Sequence, residues 1–442
     1  MKKVLLLGAG LVTKPLVDYL LEQDGIELHI GSRTLKKAED LIKGHKKGVA
    51  FALNVDDPIA LENAIKERDL IISLVPYTYH VPIAKFCLKY KKNMITTSYV
   101  SPEMRQLDKD AKNEGILILN EIGLDPGIDH MSAMKIINKA KRDGGKVLSF
   151  KSYCGGLPHP KNNDNPLGYK FSWSPRGVLM AGRNNAKFLE YGNLIEVPNS
   201  RLFATYHLVD IPNLGDLEAY PNRDSVQYKE IYELEDAHTI YRGTLRNLGW
   251  CNLLHKMVSL NMFSMEEENF EGMSYLDYMS YLVGEKGLSK KEIIDKLSLK
   301  LNLSKAHEIF DKLEWIGLFS KKKIKNPKTS RLDLLLELLL EKISLKKNEL
   351  DMIVMHHEFI IENKEKKEKI TSTLIDYGTP KGDSAMARTV SLPAAMAAQL
   401  TLDGKIQMVG VKIPVEEVIY EPVLKELEKR VNLKFEERVY KI

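Results

Sequence analysis

The residues best suited to chemistry lie in the segment 120–177, where turn-forming residues alternate with an acid, a thiol and aromatic rings. Asp125 stands directly before a proline and a glycine, and Cys154 stands directly before two glycines. These small and turn-forming residues allow sharp turns and close backbone approach. Long irregular segments are usually functional or disordered, and this one is too rich in apolar and aromatic residues for disorder. We therefore expect the segment to form the wall of a small-molecule site.

The elements that must position this segment begin with a strand, a turn and a helix at the N-terminus. The apolar residues 4–7 run into Gly8-Ala9-Gly10-Leu11-Val12-Thr13, and a helical pattern follows over residues 16–21. This is the context that a dinucleotide-binding fingerprint requires, although Thr13 replaces the third glycine. Further strands are predicted at 28–30, 48–53, 70–74, 93–97 and 116–119, with helices at 36–42 and 59–66. The alternation predicts a doubly wound sheet that binds its ligands at the carboxyl ends of the strands.

The end of the second predicted strand indicates which nicotinamide cofactor is used. NAD enzymes usually place a carboxylate there to bind the ribose hydroxyls. This chain has Ser32 and Arg33 instead. A guanidinium suits a phosphate dianion, whereas an acid would repel it. The position therefore predicts NADP(H), although a solvated surface arginine would look the same in the sequence.

The composition is that of a globular protein with two or three domains. The chain has 442 residues, of which 44% are hydrophobic and 28% charged, and its net charge is +5. The lysines are scattered, so no basic face for nucleic acid is expected. Three cysteines without CxxC spacing suggest neither disulfides nor a structural metal site. The leucine-rich residues 332–343 carry four charges and are not expected to span a membrane, so we expect a cytoplasmic protein.

Several blocks of the sequence resemble the saccharopine dehydrogenase family, in its NADP-dependent, glutamate-forming branch. They extend from the first strand almost to the C-terminus, and several are long and unusual. The blocks are residues 8–12, 32–34, 72–77, 97–102, 120–130, 152–177, 220–225, 242–246 and 372–378. The resemblance implies the reversible NADPH-dependent condensation and reduction of L-glutamate with L-2-aminoadipate 6-semialdehyde to L-saccharopine, in lysine biosynthesis.

The resemblance also implies an architecture. Its fold class is α/β, with an N-terminal Rossmann domain (1–124), a mixed-sheet α+β domain for substrate binding and dimerisation (125–255 and 349–442), and a small all-helical insert (256–348). Members of the family are homodimers. The remaining sequence agrees with this plan, because Ser264-x-x-Glu267 and Ser289-x-x-Glu292 resemble capping boxes, and Ser304 and Ser330 precede helical patterns. Residues 351–361 and 369–377 predict a hairpin with the charged tip 362–368, and residues 385–402 predict a closely packed helix.

The site residues that follow from the resemblance fall into three groups. Those expected to bind the cofactor are Gly8, Ala9, Gly10, Leu11, Val12, Ser32, Arg33, Thr34, Asn54, Val55, Leu74, Val75, Thr97, Leu124, Asp125 and Trp173. Those expected to bind the substrate are Ser98, Tyr99, Asp125, Arg223, Thr244, Leu245 and Arg246. Saccharopine carries three carboxylates, which arginine forks bind well. Candidate catalytic groups for proton movements are Asp125 and Cys154, with bound water as a third possibility.

Other interpretations stay open at this stage. Asp125 is equally suited to pairing with a substrate ammonium. Cys154 is suited to filling an apolar space, and His130 is suited to a structural role. The whole chain is also compatible with a carboxynorspermidine-type imine reductase or with a noncatalytic nucleotide sensor. The NAD-linked half of a bifunctional lysine-degrading enzyme is a further alternative, but Ser32 and Arg33 argue against NAD, and no reductase segment precedes the fingerprint. No metal-binding constellation is visible.

Overall fold

The short apolar strands of the N-terminal third pair in parallel, as strands covered on both faces commonly do. The computed structural model describes residues 1–364 and 366–442. These strands lie in the first of two compact units, which consists of Met1–Val147, Ile231–Glu233 and Ile361–Ile442. The second unit consists of Leu148–Glu230 and Leu234–Ile360.

The sheet of the first unit has seven strands. Six come from the N-terminal third: β1 (Lys2–Leu7), β2 (Ile26–Ser32), β3 (Gly48–Ala52), β4 (Leu70–Ser73), β5 (Asn93–Thr96) and β6 (Leu117–Leu119). The seventh is β17 (Gly410–Lys412), and the order across the sheet is β17-β6-β5-β4-β1-β2-β3. Every pairing in it is parallel. This confirms the predicted doubly wound N-terminal fold.

Helices cover the faces of this sheet. They are α1 (Lys14–Glu22), α2 (Leu35–Ile42), α3 (Pro58–Lys66), α4 (His80–Tyr90), α5 (Pro102–Gln106), α6 (Asp108–Asn113) and α7 (Ile128–Arg142). The side chains of Leu5, Ile71 and Ile118 are completely buried in the core that results. The N-terminus of α3 is held by Asp57, whose carboxylate accepts hydrogen bonds from two backbone amides.

The second unit contains a mixed sheet, which the resemblance also implied. Its strands are β7 (Lys146–Pro158), β8 (Ala186–Glu190), β9 (Asn193–Val197), β10 (His207–Ile211), β11 (Gly215–Pro221), β12 (Thr239–Arg246) and β15 (Asp351–Asn363). Their order is β10-β11-β12-β7-β15, and β8 joins β12 at one side and β9 at the other. β12 is parallel to β7 and antiparallel to β11, so the sheet is mixed.

The second unit also contains helices, two of which start at a serine that the capping pattern predicted. They are α8 (Pro175–Ala181), α9 (Tyr228–Ile231), α10 (Trp250–Ser259), α11 (Tyr275–Leu282), α12 (Lys290–Leu301), α13 (Glu308–Ile316) and α14 (Arg331–Ile343). Short 3-10 helices occupy Pro160–Asn162 and Asn199–Ala204. Ser289 forms the predicted capping box with Glu292, and Ser330 caps α14.

One of the two predicted capping boxes, that of Ser264 with Glu267, is wrong, and the segment that contains it is not purely helical. Residues 267–269 form a strand, β13 (Glu267–Asn269), because they pair with β14 (Lys328–Ser330). Ser264 therefore starts a turn, and the nearby capping box is made by Ser274 with Asp277. The helix predicted after Ser304 is present as α13. Ser304 lies in the turn before it, and His307 caps the helix.

The C-terminal part of the first unit completes its hydrophobic core. It contains β16 (Lys366–Tyr377), β18 (Glu436–Lys441), α15 (Ala385–Leu402) and α16 (Glu417–Val431). Helix α15 packs against α1 and against β4 and β5 of the sheet, which confirms the close packing predicted for it. Of the predicted charged tip 362–368, Glu365 lies outside the described residues. Among the residues that the structure describes, no helix combines the length and apolarity needed to cross a membrane.

Candidate functional site

The turn after β1 has the shape that a dinucleotide phosphate requires. Gly8 has a φ of +108°, and a Cβ atom added there would lie 3.1 Å from the carbonyl oxygen of Leu74. The amide of Gly10 donates a hydrogen bond to the hydroxyl of Thr13 at 2.9 Å, so Thr13 closes the turn in place of the third glycine. Gly10 and Leu11 are exposed, which leaves the backbone accessible to a ligand. The residues present therefore fit a dinucleotide cofactor.

Arg33 lies exposed after β2, beside a small polar cluster at the ends of neighbouring strands. The hydroxyl of Tyr79 donates to the carboxylate of Asp56 at 2.8 Å. This hydrogen bond raises the pKa of Tyr79, and the positive charge of Arg33 opposes the rise. Arg33 is therefore close enough to this pair to act on it electrostatically. Asn54 helps to order the same edge, because its side chain accepts a hydrogen bond from the amide of Asp56.

The remaining cofactor candidates of the first unit follow neighbouring strands of the same sheet. The backbone amide of Thr34 donates a hydrogen bond to the hydroxyl of Ser32, and this bond fixes the turn around Arg33. Leu74 and Val75 follow β4, and Thr97 follows β5, as expected from the sequence. Parallel strands bring these positions to one edge of the sheet, where ligands bind in such folds.

Asp125 and Tyr99, which the sequence did not link, are hydrogen-bond partners. The phenol of Tyr99 donates to the carboxylate of Asp125 at 2.9 Å. The loop that presents Asp125 requires Gly127, which has a φ of +146°. A Cβ atom on Gly127 would lie 2.1 Å from the carbonyl oxygen of Gly123, so no other residue fits without moving the backbone.

A buried network holds the base of this loop. The carboxylate of Glu121 accepts a hydrogen bond from the amide of Val100 at 2.9 Å and contacts Nε2 of His130 at 2.8 Å. Nδ1 of His130 lies 2.5 Å from the hydroxyl of Tyr232. Because Val100 directly follows Tyr99, the network fixes the backbone next to the phenol that binds Asp125. His130 is completely buried in this network, in agreement with a structural role.

The second unit contains a buried cation, Arg246, which is only 3% exposed. Its guanidinium carbon lies 4.9 Å from the ring centre of Tyr169, 5.8 Å from that of Trp250 and 5.9 Å from that of Tyr220. Its Nη1 donates to the carbonyl of Leu245 at 2.7 Å, whereas its Nε has no hydrogen-bond partner. Within the described ranges, Arg246 forms no ion pair with a carboxylate.

The nearest acid in the sheet is engaged elsewhere. Glu218 lies opposite Arg246 in the pairing of β11 with β12. Its two carboxylate oxygens accept hydrogen bonds from the amides of Gly249 and Cys251, both at 2.7 Å, at the start of α10. Burial lowers the pKa of Arg246, but Tyr220 and Tyr169 raise it, and the net direction is upward. The guanidinium is therefore charged and available to an anion.

The other candidates of the second unit lie at different depths. Cys154 is buried in β7 and is paired with Thr244 of the neighbouring strand β12. Thr244 lies two residues before Arg246 on that strand. The side chain of Leu245 is completely buried. Arg223 is exposed in the turn after β11, where its carbonyl accepts a hydrogen bond from the amide of Lys187. Trp173 is half-buried.

Comparison with protein families matches nearly the whole chain. Residues 4–119 match the family described as the saccharopine dehydrogenase NADP binding domain. Residues 123–433 match the saccharopine dehydrogenase C-terminal domain.

Full-length relatives and a solved structure agree with these matches. The saccharopine dehydrogenase [NADP(+), L-glutamate-forming] of Pyricularia oryzae is 41% identical, over 99% of each chain. The enzyme of the same name from Saccharomyces cerevisiae is 40% identical, also over 99% of each chain. A structure of the apo, histidine-tagged saccharopine dehydrogenase (L-Glu forming) from Saccharomyces cerevisiae superimposes with a TM-score of 0.91 at 39% identity, and covers all of both chains.

Proposed function

Because the chain belongs to the saccharopine dehydrogenase family, we propose that it is an NADP(H)-dependent oxidoreductase acting on a CH–NH bond. It joins L-glutamate and L-2-aminoadipate 6-semialdehyde and reduces the product to L-saccharopine, in a reversible reaction that belongs to lysine biosynthesis by the aminoadipate route. The full-length identity to enzymes named for this reaction supports the assignment.

The observation that carries the proposal is the buried guanidinium of Arg246, which has aromatic rings around it and a free Nε. A buried cation without a counter-ion is costly, and an anionic ligand would compensate it. A carboxylate of saccharopine is such a ligand. Arg223 is a second candidate for a carboxylate, and Ser98, Tyr99, Thr244 and Leu245 complete the proposed substrate-binding set.

NADP(H) supplies or accepts the hydride when it is bound. In this proposal, residues 8–12 hold the pyrophosphate, and Ser32, Arg33 and Thr34 hold the 2′-phosphate. Asn54, Val55, Leu74, Val75, Thr97, Leu124, Asp125 and Trp173 are the remaining proposed contacts of the cofactor. The exposure of Arg33 and the charge it exerts near Tyr79 support a role in binding an anion.

Asp125 is the proposed group for proton movements or for pairing with the substrate amine. Its carboxylate already accepts a hydrogen bond from Tyr99. A substrate ammonium would be a second donor to it, and the phenol would then hold the carboxylate in one orientation. Cys154 is proposed to assist through its position beside Thr244. Imine reduction needs no protein nucleophile, so neither residue is expected to be indispensable.

We further propose that the protein is a homodimer in the cytoplasm. The edge strand β10 and the β8–β9 pair carry exposed apolar side chains at Tyr191, Leu194 and Leu208, which supports an interaction surface in the second unit. The three cysteines are buried and form no disulfide among the described residues, which fits a reducing compartment.

Absorbance of NADPH tests the proposed reaction. We expect NADPH to be consumed only when L-glutamate and the semialdehyde are both present, and NADP⁺ to be reduced when saccharopine is supplied. Consumption with a diamine in place of glutamate, and none with glutamate, would instead indicate a polyamine-forming imine reductase. Binding of NADPH with no turnover of either substrate pair would indicate a nucleotide sensor.

Replacing the two arginines tests the binding of substrate carboxylates. We expect Arg223→Ala and the nearly isosteric Arg246→Met to raise the KM for saccharopine and to leave the affinity for NADPH nearly unchanged. The loss of a charge-assisted contact costs on the order of 1.5–3 kcal/mol, which is roughly ten- to a hundredfold in affinity. Arg201→Ala is a matched control, since Arg201 is exposed in the same unit. A wild-type KM in both variants would refute the assignment.

Steady-state kinetics with both cofactors test the role of Arg33. We expect Arg33→Ala to lower kcat/KM for NADPH by roughly tenfold or more, because one charge-assisted phosphate contact is lost, and to leave the weaker use of NADH almost unchanged. Ser32→Asp should narrow or reverse the preference for NADPH over NADH, because an acid repels the 2′-phosphate. Lys36→Ala, which removes a nearby exposed cation, is the control. If Arg33→Ala lowers kcat/KM equally for NADPH and NADH, Arg33 stabilises the fold and does not recognise the phosphate.

The proposed catalytic candidates are separated by comparing Asp125→Asn with Cys154→Ser. We expect the Asp125 variant to lose substrate affinity and rate together, because its amide accepts more weakly from Tyr99 and carries no charge to pair with a substrate ammonium. The Cys154 variant should lose turnover only modestly. Single-turnover hydride transfer is the measurement. Its complete loss in Cys154→Ser, with saccharopine still bound, would contradict the expectation.

A further inference from the structure

His80 stands at the start of α4 with its ring among three hydroxyl groups from two strand ends. Its Nδ1 lies 2.9 Å from the hydroxyl of Ser73. Its Nε2 lies 2.8 Å from the hydroxyl of Ser98 and 3.1 Å from that of Thr96. Ser73 and Thr96 are completely buried and face each other in the pairing of β4 with β5. Ser98 is half-buried and lies just beyond the end of β5.

The geometry points to His80 as a positioning residue that orients the hydroxyl of Ser98 toward the substrate. The assignment rests on the proposed function, in which Ser98 binds saccharopine. Of the three hydroxyls around the ring, Ser73 and Thr96 are enclosed by the sheet, so Ser98 is the one that a ligand could reach. His80 acts through Ser98 and does not itself contact the substrate.

The surroundings of His80 keep the ring in one charge state. Only 4% of the residue is exposed, and this burial lowers its pKa to about 4. A neutral imidazole has one N–H donor and one acceptor nitrogen. Nδ1 serves Ser73, and Ser98 and Thr96 share Nε2. Each hydroxyl can donate or accept to match the tautomer, so the ring gives Ser98 a fixed partner at neutral pH. A fixed hydroxyl binds a ligand better than a rotating one, because less rotational freedom is lost on binding.

The ring has two polar ends, and two amide substitutions separate them. The amide of glutamine reaches about as far as Nε2, so His80→Gln preserves a partner for Ser98. The amide of asparagine reaches only as far as Nδ1, so His80→Asn preserves the partner of Ser73 and removes that of Ser98. We expect His80→Asn to raise the KM for saccharopine roughly three- to tenfold, the size of one neutral hydrogen bond, and His80→Gln to stay within about twofold of the wild type.

Two further measurements separate positioning from a general effect on the fold. The affinity for NADPH, measured by fluorescence titration without turnover, should be unchanged in both variants. His29→Gln is the matched control, because His29 is a similarly buried histidine on β2 of the same unit, and it should leave all constants unchanged. In a Ser98→Ala background, His80→Asn should have no additional effect on the KM for saccharopine.

The outcomes distinguish this inference from the proposed function. A wild-type enzyme that does not oxidise saccharopine would overturn both. The positioning role alone would be overturned if the wild type is active and the two His80 variants raise the KM for saccharopine equally. It would also be overturned if His80→Asn raises this KM as much in the Ser98→Ala background as in the wild type. The double-mutant cycle uses only the asparagine variant, so it remains decisive if the glutamine variant folds poorly.

Discussion

Parallel pairing in the seven-stranded sheet is the constraint on which the site of the first unit depends. Because all strands run in one direction, the turn at Gly8, the cation Arg33 and the hydroxyl of Ser98 all lie at one edge. The chain leaves each strand there without a partner strand to pair with, so side chains must satisfy the backbone and one another. Thr13, Asn54 and the imidazole of His80 serve that purpose, and their hydrogen bonds help to fix the orientation of the groups proposed to bind ligands.

In the second unit, a cation is kept available for a ligand because an opposite charge is held away from it. Glu218 and Arg246 are paired positions on adjacent strands and would normally form an ion pair. The start of α10 prevents this, because two of its amides bind the carboxylate of Glu218. Because Glu218 stabilises the N-terminus of α10, Arg246 has no acidic partner among the described residues. The aromatic rings around Arg246 compensate its charge only in part. An anionic ligand, such as the proposed substrate carboxylate, would recover the cost of burying this cation.

The sequence predicts those features that depend on local pattern. Strands of the first sheet, the glycine turn and the cap at Ser289 follow from apolar runs and residue spacing. Ser264 has the same spacing to an acid as Ser289, yet residues 267–269 pair with a strand about sixty residues away, and no local pattern reveals that pairing. The contact of Tyr99 with Asp125 and the three hydroxyls around His80 were missed for the same reason, since their partners meet only after β4, β5 and the loop 120–127 are assembled.

The charge balance around Arg33 shows why its environment matters as much as its identity. A carboxylate, Asp56, lies beyond the end of the neighbouring strand, where it would compete with a phosphate for the guanidinium if its side chain turned toward Arg33. Its oxygen instead accepts a hydrogen bond from Tyr79, and its backbone amide is bound by Asn54. These contacts hold the acid in a fixed position, so the exposed guanidinium of Arg33 remains available to an incoming anion. Recognition of the 2′-phosphate would then depend on both a cation that is free and an acid that is held in place.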